Sequence, residues 1–183
     1  MAFLTNEELL DLNFHSLGQN VLISTCAKLY ESELMSIGDN SRVDDFCVLS
    51  GDITIGYNVH IAIQTNIAAG KTTIKIGDYS GLAYGVQIIG QVDDYSGVTL
   101  SNPTVSSTYK HTISKPISIG RHVKIGTHSI VLPGTTIGNL CAISARSTVS
   151  GNLTERGLYR GDPAIRIAEL SDRLLDLELE FES

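Results

Sequence analysis

Residues 117–150 read ISIGRHVKIGTHSIVLPGTTIGNLCAISARSTVS. An aliphatic residue stands at every sixth position: Ile119, Ile125, Val131, Ile137, Ile143 and Val149. Gly follows three of them, at Gly120, Gly126 and Gly138. Four places after an aliphatic residue comes a small or β-branched one, at Ser129, Thr135, Cys141 and Ser147. A period of six does not match the 3.6-residue turn of an α-helix. It suits short flat strands separated by turns, one hexad forming one side of a triangular prism and three forming a coil. The aliphatic residue points inward, the small residue fits the corner beside it, and Gly accepts turn dihedrals that a Cβ penalises. Each coil buries its apolar edge only against its neighbours, so the fold gains stability by stacking. The reading is all-β: a left-handed parallel β-helix.

The same pattern runs upstream through Ile37, Val43, Leu49, Ile55, Ile61 and Ile67, with Ser41, Cys47, Val59 and Thr65 as corner residues. It slips by nine and resumes at Ile76, Leu82 and Ile88. Three segments depart from it. Residues 1–17 carry Leu4, Leu9, Leu10 and Leu12 among acids, and Thr5 with Glu8 forms a capping box, so a short helix capping the first coil is expected. Residues 91–116 are too polar for the prism and form an extruded loop; loops of that length in compact scaffolds are functional or disordered. Residues 168–183 place Leu170, Leu174 and Leu177 at helical spacing, giving a C-terminal helix against the prism. The prism itself covers residues 18–167, and the whole is one domain.

Composition agrees. The 183 residues are 42% hydrophobic and 18% charged, which excludes disorder, and only 6% aromatic with no Trp, as a narrow prism requires. The three cysteines, Cys26, Cys47 and Cys141, form no CxxC pair and no even framework, so a reducing, cytoplasmic setting is expected. The amino-terminal stretch has acids where a signal peptide has bases, and no apolar run is long enough to span a membrane. The net charge of −7 argues against nucleic-acid binding. Between Ser101 and Ile167, eight Lys and Arg face only Glu155 and Asp162, so this segment is +6 and the remainder −13. A basic segment in an acidic chain points to an anionic ligand.

The hexads, the single extruded loop and the closing GLYRGDPAIRI at 157–167 resemble the hexapeptide-repeat acyltransferases, near the galactoside acetyltransferase branch of sugar O- and N-acetyltransferases. RVDDFCVLSG, NVHIA, DDYSG with LSNPTV, and LPGTTIG resemble members of that family associated with surface-polysaccharide synthesis. The resemblance implies a homotrimer, acetyl-CoA lying in the groove between neighbouring prisms, and a sugar-type acceptor. It implies that Gly120, Gly126 and Ser129 let the pantetheine arm approach the backbone. It also implies that Arg160 and Arg166 meet CoA phosphates, for which the planar guanidinium is suited.

Acyl transfer to a hydroxyl needs a base within hydrogen-bonding reach. The galactoside branch carries its His in the extruded loop; here the equivalent place reads Gly90-Gln91-Val92-Asp93-Asp94-Tyr95, without one. His60 is the first candidate, because it precedes inward Ile61 and alternation turns it outward. Asp93 and Asp94 are the second, as base or as orienting carboxylates, against the plainer role of capping the loop turn. His111 is a polar loop residue, His122 and His128 are expected in solvent, and His15 packs locally. An amine acceptor needs a weaker base than a hydroxyl, and oxygen and nitrogen acceptors both stay open. Two other classes stand beside the enzyme: a non-catalytic scaffold, and a metal-binding trimer of the carbonic-anhydrase-like kind. The metal class needs a spacing of histidines that His60, His111, His122 and His128 do not present, and no metal ligand is assigned.

Overall fold

A computed structural model of the chain describes residues 2–183. Short parallel strands stack on three faces, and each face contributes one inward ladder. Leu17, Ile37, Ile55, Ile76, Ile119, Ile137 and Leu153 form the first. Ile23, Val43, Ile61, Leu82, Ile125, Ile143 and Tyr159 form the second. Leu29, Leu49, Ile67, Ile88, Val131 and Val149 form the third. We refer to these as the Ile37, Ile61 and Ile67 faces. All their members are buried except Leu17 and Leu29, which pack against the core from the first coil. The parallel β-helix expected from the hexads is the observed fold.

Backbone hydrogen bonds run from each coil to the next, as in Gly38 N–H to Ile55 O (2.8 Å), Gly56 N–H to Ile76 O (2.8 Å) and Gly77 N–H to Ile119 O (2.8 Å). The corner residues read from the sequence are all interior: Ser41, Cys47, Val59, Thr65, Ser129, Thr135, Cys141 and Ser147. Their hydroxyls bond backbone carbonyls of the stack, such as Ser41 Oγ to Gly56 O (2.8 Å), because a buried polar group without a partner would be costly. The nine-residue slip is absorbed at one corner. Strand Asn66–Ile76 spans two faces, and its pairing with Val48–Ile55 breaks register between Ser50 and Asp52.

The additions follow the expected plan with one shift. Helix α1 (Asn6–Asp11) has the Thr5–Glu8 capping box, Thr5 N–H donating to Glu8 Oε2 at 2.7 Å, and seats Leu9 in the core. The extruded loop leaves the corner between the Ile67 and Ile37 faces through a two-stranded antiparallel stem, Gln91–Asp93 with Thr112–Ser114. Helix α2 (Arg173–Glu182) begins later than residue 168. Strand Ala164–Glu169 instead folds back antiparallel on Gly157–Gly161 and closes the last coil.

Helix α2 crosses the corner between the Ile37 and Ile61 faces. There Asn40, Asn58, Tyr79, His122, Leu140 and Arg156 occupy successive turns with positive φ. Glu178 accepts hydrogen bonds from Arg121 and from His122 Nε2, the latter at 2.8 Å. Glu182 accepts from Tyr79 Oη at 2.7 Å, and the Tyr79 and His122 rings stack at 4.9 Å. His122, expected in solvent, is covered by this helix, its side chain 10% exposed.

Truncating a ladder residue leaves a void that a rigid stack fills poorly. Ile67→Ala is expected to lower unfolding stability by about 2–5 kcal/mol, measured by denaturant unfolding. Burial pushes the Cys47 thiol up to about 11, and the Cys141 thiol is raised too, whereas Cys26 is exposed. A thiol reagent on the native protein is therefore expected to label Cys26 alone, with Cys47 and Cys141 reacting after unfolding.

Candidate functional site

The outer surface of the Ile61 face presents two columns. The strand register aligns Arg42, His60, Gly81, Lys124, Ala142 and Leu158 in the first. Beside them run Asp44, Ala62, Ala83, Gly126, Ser144 and Arg160, two residues further along each strand. Between His60 and Lys124 the missing side chain of Gly81 opens a recess. A Cβ built there meets nothing within 4 Å. The recess has a volume of about 420 Å³ and is lined by His60, Ala62, Gly81, Ala83, Tyr84, Lys124 and Gly126, among others. That volume lies within the range of small-molecule pockets.

His60 stands at the rim, its side chain 53% exposed. Its Nε2 lies 2.9 Å from Asp44 Oδ2, and Arg42 Nε donates to Asp44 Oδ1 at 2.6 Å. The Asp44 side chain is only 5% exposed. Burial acts to raise its pKa, but the hydrogen bonds and charges of His60 and Arg42 together outweigh that and hold it below the ordinary carboxylate value. An ionised Asp44 accepts a proton bond from Nε2–H and leaves Nδ1 as the basic ring nitrogen. The Lys124 ammonium has no ion-pair or hydrogen-bond partner among the described residues.

The fold gathers part of the expected site. His60, Gly126, Arg160 and Arg166 all belong to the Ile61 face or to the strand closing it. From His60 to the Leu158–Arg160 strand is four coil steps, roughly 19 Å at the usual strand spacing. Arg160 is exposed, and Arg166 donates to the Arg156 carbonyl at 3.3 Å at the end of the stack. Ser129 lies apart from this surface. It is fully buried, its Oγ donating to Ser144 O at 3.0 Å and accepting from Ser147 N–H at 3.2 Å, so it is a corner residue and not a ligand contact. Gly120 turns at the corner beneath α2. Its bare Cα is required by the next coil, since a Cβ would meet Asn139 Oδ1 at 2.5 Å.

Asp93 and Asp94 are not brought to His60 within one chain. The loop leaves from the corner opposite the Ile61 face, and both carboxylates serve the loop itself. Asp93 Oδ2 accepts from Asn102 N–H at 3.1 Å, and Asp94 accepts from Ser96 N–H and Ser96 Oγ, each at 2.8 Å. Those bonds, the backbone one first, lower the Asp94 pKa. His15, His111 and His128 are exposed, and His128 Nδ1 packs where a Cβ on Gly85 would come within 2.4 Å. The sequence reading missed Asp44 and Lys124. One coil is 18 residues where no slip intervenes, so Arg42 must lie directly beneath His60; that spacing was the available signal.

Comparison with known proteins fits this geometry. Residues 116–151 match the family model described as bacterial transferase hexapeptide (six repeats). The dTDP-4-amino-4,6-dideoxy-D-glucose acyltransferase of Escherichia coli is 41% identical over 99% of this chain and 95% of its own length. Galactoside O-acetyltransferase of Escherichia coli is 31% identical over 79% of this chain and 68% of its own. The N-acyltransferase AntD of Bacillus cereus superposes with a TM-score of 0.96 at 38% identity, covering 98% of this chain and 96% of AntD. AntD has been solved with dTDP-4-amino-4,6-dideoxyglucose and coenzyme A, and with dTDP and 3-hydroxybutyryl-CoA.

The Asp44 pair makes a prediction about acid stability. A carboxyl with a depressed folded-state pKa stabilises the fold above its unfolded value of about 4, and that contribution is lost as pH falls through the folded-state value. The thermal midpoint is therefore expected to fall more steeply below about pH 4 in the wild type than in Asp44→Asn. Melting curves across that range check it, and parallel slopes would remove Asp44 from the account.

Proposed function

This chain belongs to the hexapeptide-repeat sugar acyltransferases, and from that premise we propose that it transfers an acyl group from an acyl-CoA to the amino group of a nucleotide-linked deoxysugar. The observation that carries this reading is likeness along nearly the whole chain to one protein named for that acceptor and to an N-acyltransferase solved in complex with it. The aminosugar of those two proteins favours nitrogen over oxygen, a choice that the residues alone leave open. The scaffold and carbonic-anhydrase-like alternatives have no comparable support.

In the proposed reaction the acceptor nitrogen attacks the thioester carbonyl carbon. An N–C bond forms and the C–S bond breaks. The proton shed by nitrogen passes to His60 Nδ1 and then to the departing sulfur, so the products are the amide and free CoA. His60 suits this role because it stands at the recess rim with Nε2 already engaged by Asp44. The thioester arm lies along the shallow track of Gly81, Ala83, Gly126 and Ala142, with its phosphates toward Arg160 and Arg166. The open space at Gly81 leaves room for acyl groups larger than acetyl.

The assembly we propose is a homotrimer in which the loop of one chain covers the Ile61 face of the next and brings Asp93 and Asp94 to its acceptor. Tyr95, Val98, Leu100 and Tyr109 project from the loop largely exposed in the single chain, and a closed ring would cover them. None of the described helices is long and apolar enough to cross a membrane, and the unpaired cysteines suit a cytoplasmic enzyme. An acylated nucleotide sugar keeps its activated phosphate, which fits it for a later glycosyl transfer in building a surface polysaccharide.

Purified protein given dTDP-4-amino-4,6-dideoxyglucose with acetyl-CoA or 3-hydroxybutyryl-CoA is expected to release CoA thiol and yield the amide by mass spectrometry. No release with any aminosugar nucleotide would overturn the reading. His60→Ala is expected to lower kcat by about 100-fold or more while leaving the fold intact. Sedimentation equilibrium is expected to give three times the 19.7 kDa chain mass.

A further inference from the structure

Of the 17 glycines in the chain, the fold gives a backbone reason for all but one. Seven have a positive φ, where a side chain would be strained. In nine others a Cβ would come within 2.6 Å of an atom of the stack. Gly81 has neither constraint. Its φ lies outside the left-handed region, and a Cβ built on it meets nothing within 4 Å. It opens the strand Gly81–Leu82, and with Leu82 buried its own outward direction is to the surface of the Ile61 face. A β-branched residue suits such a position better, and a glycine there weakens the strand. A strand glycine that packing does not require marks a place where a ligand or another backbone comes close.

We infer that Gly81 is a specificity-determining residue: the space of its missing side chain seats the acyl group of the donor and admits acyl chains longer than two carbons. This rests on the acyl transfer and the donor track proposed above, and is independent of which residue takes the proton. Gly81 pairs in register with His60 on one side and with Lys124 on the other. Those two backbones stand two strand spacings apart, about 9–10 Å, with no side chain between them. The slot opens into the recess of about 420 Å³, whose walls include Ala62, Ala83, Tyr84 and Ile143. An acetyl group carries one methyl beyond its carbonyl and fills little of that volume. A chain of three or four carbons enters the slot and meets apolar wall. A side chain at position 81 would stand in the column between His60 and Lys124 and close the slot from its floor. One methylene admitted or refused by an apolar pocket is worth about 10- to 200-fold in discrimination.

The test compares full-length wild type, Gly81→Ala and Gly81→Val with dTDP-4-amino-4,6-dideoxyglucose and acetyl-, propionyl-, butyryl- and 3-hydroxybutyryl-CoA. The ratio of kcat/KM for butyryl-CoA to that for acetyl-CoA is expected to fall about tenfold or more in Gly81→Val, and by less in Gly81→Ala. Each ratio is internal to one protein, so a loss of active molecules does not move it. Because nothing opposes a Cβ here, Gly81→Ala is expected to melt about 1–4 °C above the wild type. A ratio indifferent to residue 81, or a wild type that uses acetyl-CoA alone, would overturn the inference. So would an effect confined to KM for the nucleotide sugar, which would place the acceptor at Gly81. Equal losses with every donor, accompanied by a changed sedimentation mass in Gly81→Val, would show that the space admits a second copy of the chain. A Gly81→Ala protein that melts below the wild type would show that the fold itself needs the glycine. Calorimetric titration with CoA, acetyl-CoA and butyryl-CoA separates this inference from the proposed reaction. If no aminosugar nucleotide is acylated, the reaction fails, and selective weakening of butyryl-CoA binding in Gly81→Val still upholds the acyl seat. Equal weakening of all three ligands, or none, would overturn it.

Discussion

The register between coils is the constraint on which everything else depends. Each residue of a face donates to or accepts from its counterpart one turn on, so the backbone leaves no freedom to slide. A slip of one residue would turn an entire inward ladder out to solvent. With three ladders of Ile, Val and Leu locked together, the outer columns are locked as well. Arg42, His60, Gly81 and Lys124 are neighbours because Val43, Ile61, Leu82 and Ile125 are neighbours. The site inherits its precision from the core, which suits chemistry that needs groups held within fractions of an ångström.

That dependence explains what could be read from the chain. The hexads announce a ladder that only one architecture can bury, so fold class, corner residues, capping box and both helices were legible. His60 was legible too, since its place before Ile61 turns it outward. Asp44 was legible in principle, two residues after Arg42 and 16 before His60, but only once 18 residues are taken as one turn. The failures have a common cause. Ser129 entered the expected donor site through the family resemblance, whereas its position four after Ile125 is the corner slot, and that slot is interior. His122 looked exposed because its cover comes from Glu178, 56 residues away and tied to it by no period. The start of α2 shifted because the hairpin at Gly157–Glu169 depends on where the stack ends, which local helical spacing does not report.

The extruded loop and helix α2 take different corners, and the division makes physical sense. The corner beneath α2 carries Tyr79, His122 and Arg121, whose polar tips need partners; Glu178 and Glu182 supply them. The corner from which the loop departs carries Gly51, Gly70, Gly134 and Gly151 at positive φ, with no bulky side chain to obstruct a stem. The third corner, near Tyr84 and His128, stays unadorned and borders the recess. Additions on two corners leave the Ile61 and Ile67 faces meeting at the open one, with the recess on the Ile61 side of it.

The charge distribution gains meaning on this surface. The basic segment at 101–167 is no uniform patch. Arg121 and Arg156 are spent on α2 and its approach, paired with Glu178, Asp78, Glu169 and Asp172. Lys110 donates to the Asn102 carbonyl within the loop. Lys124, Arg160 and Arg166 remain on the Ile61 face toward its closing end, while its opening end holds Arg42 neutralised by Asp44. The face is therefore uneven in charge, with His60 and the Asp44 carboxylate at one end, Arg160 and Arg166 at the other and small side chains between. In the reading proposed above, an elongated donor with a thioester at one tip and phosphates at the other lies along that gradient with its phosphates toward Arg160 and Arg166. Reversed, it would place its anionic end against Asp44 and its thioester four coils from His60.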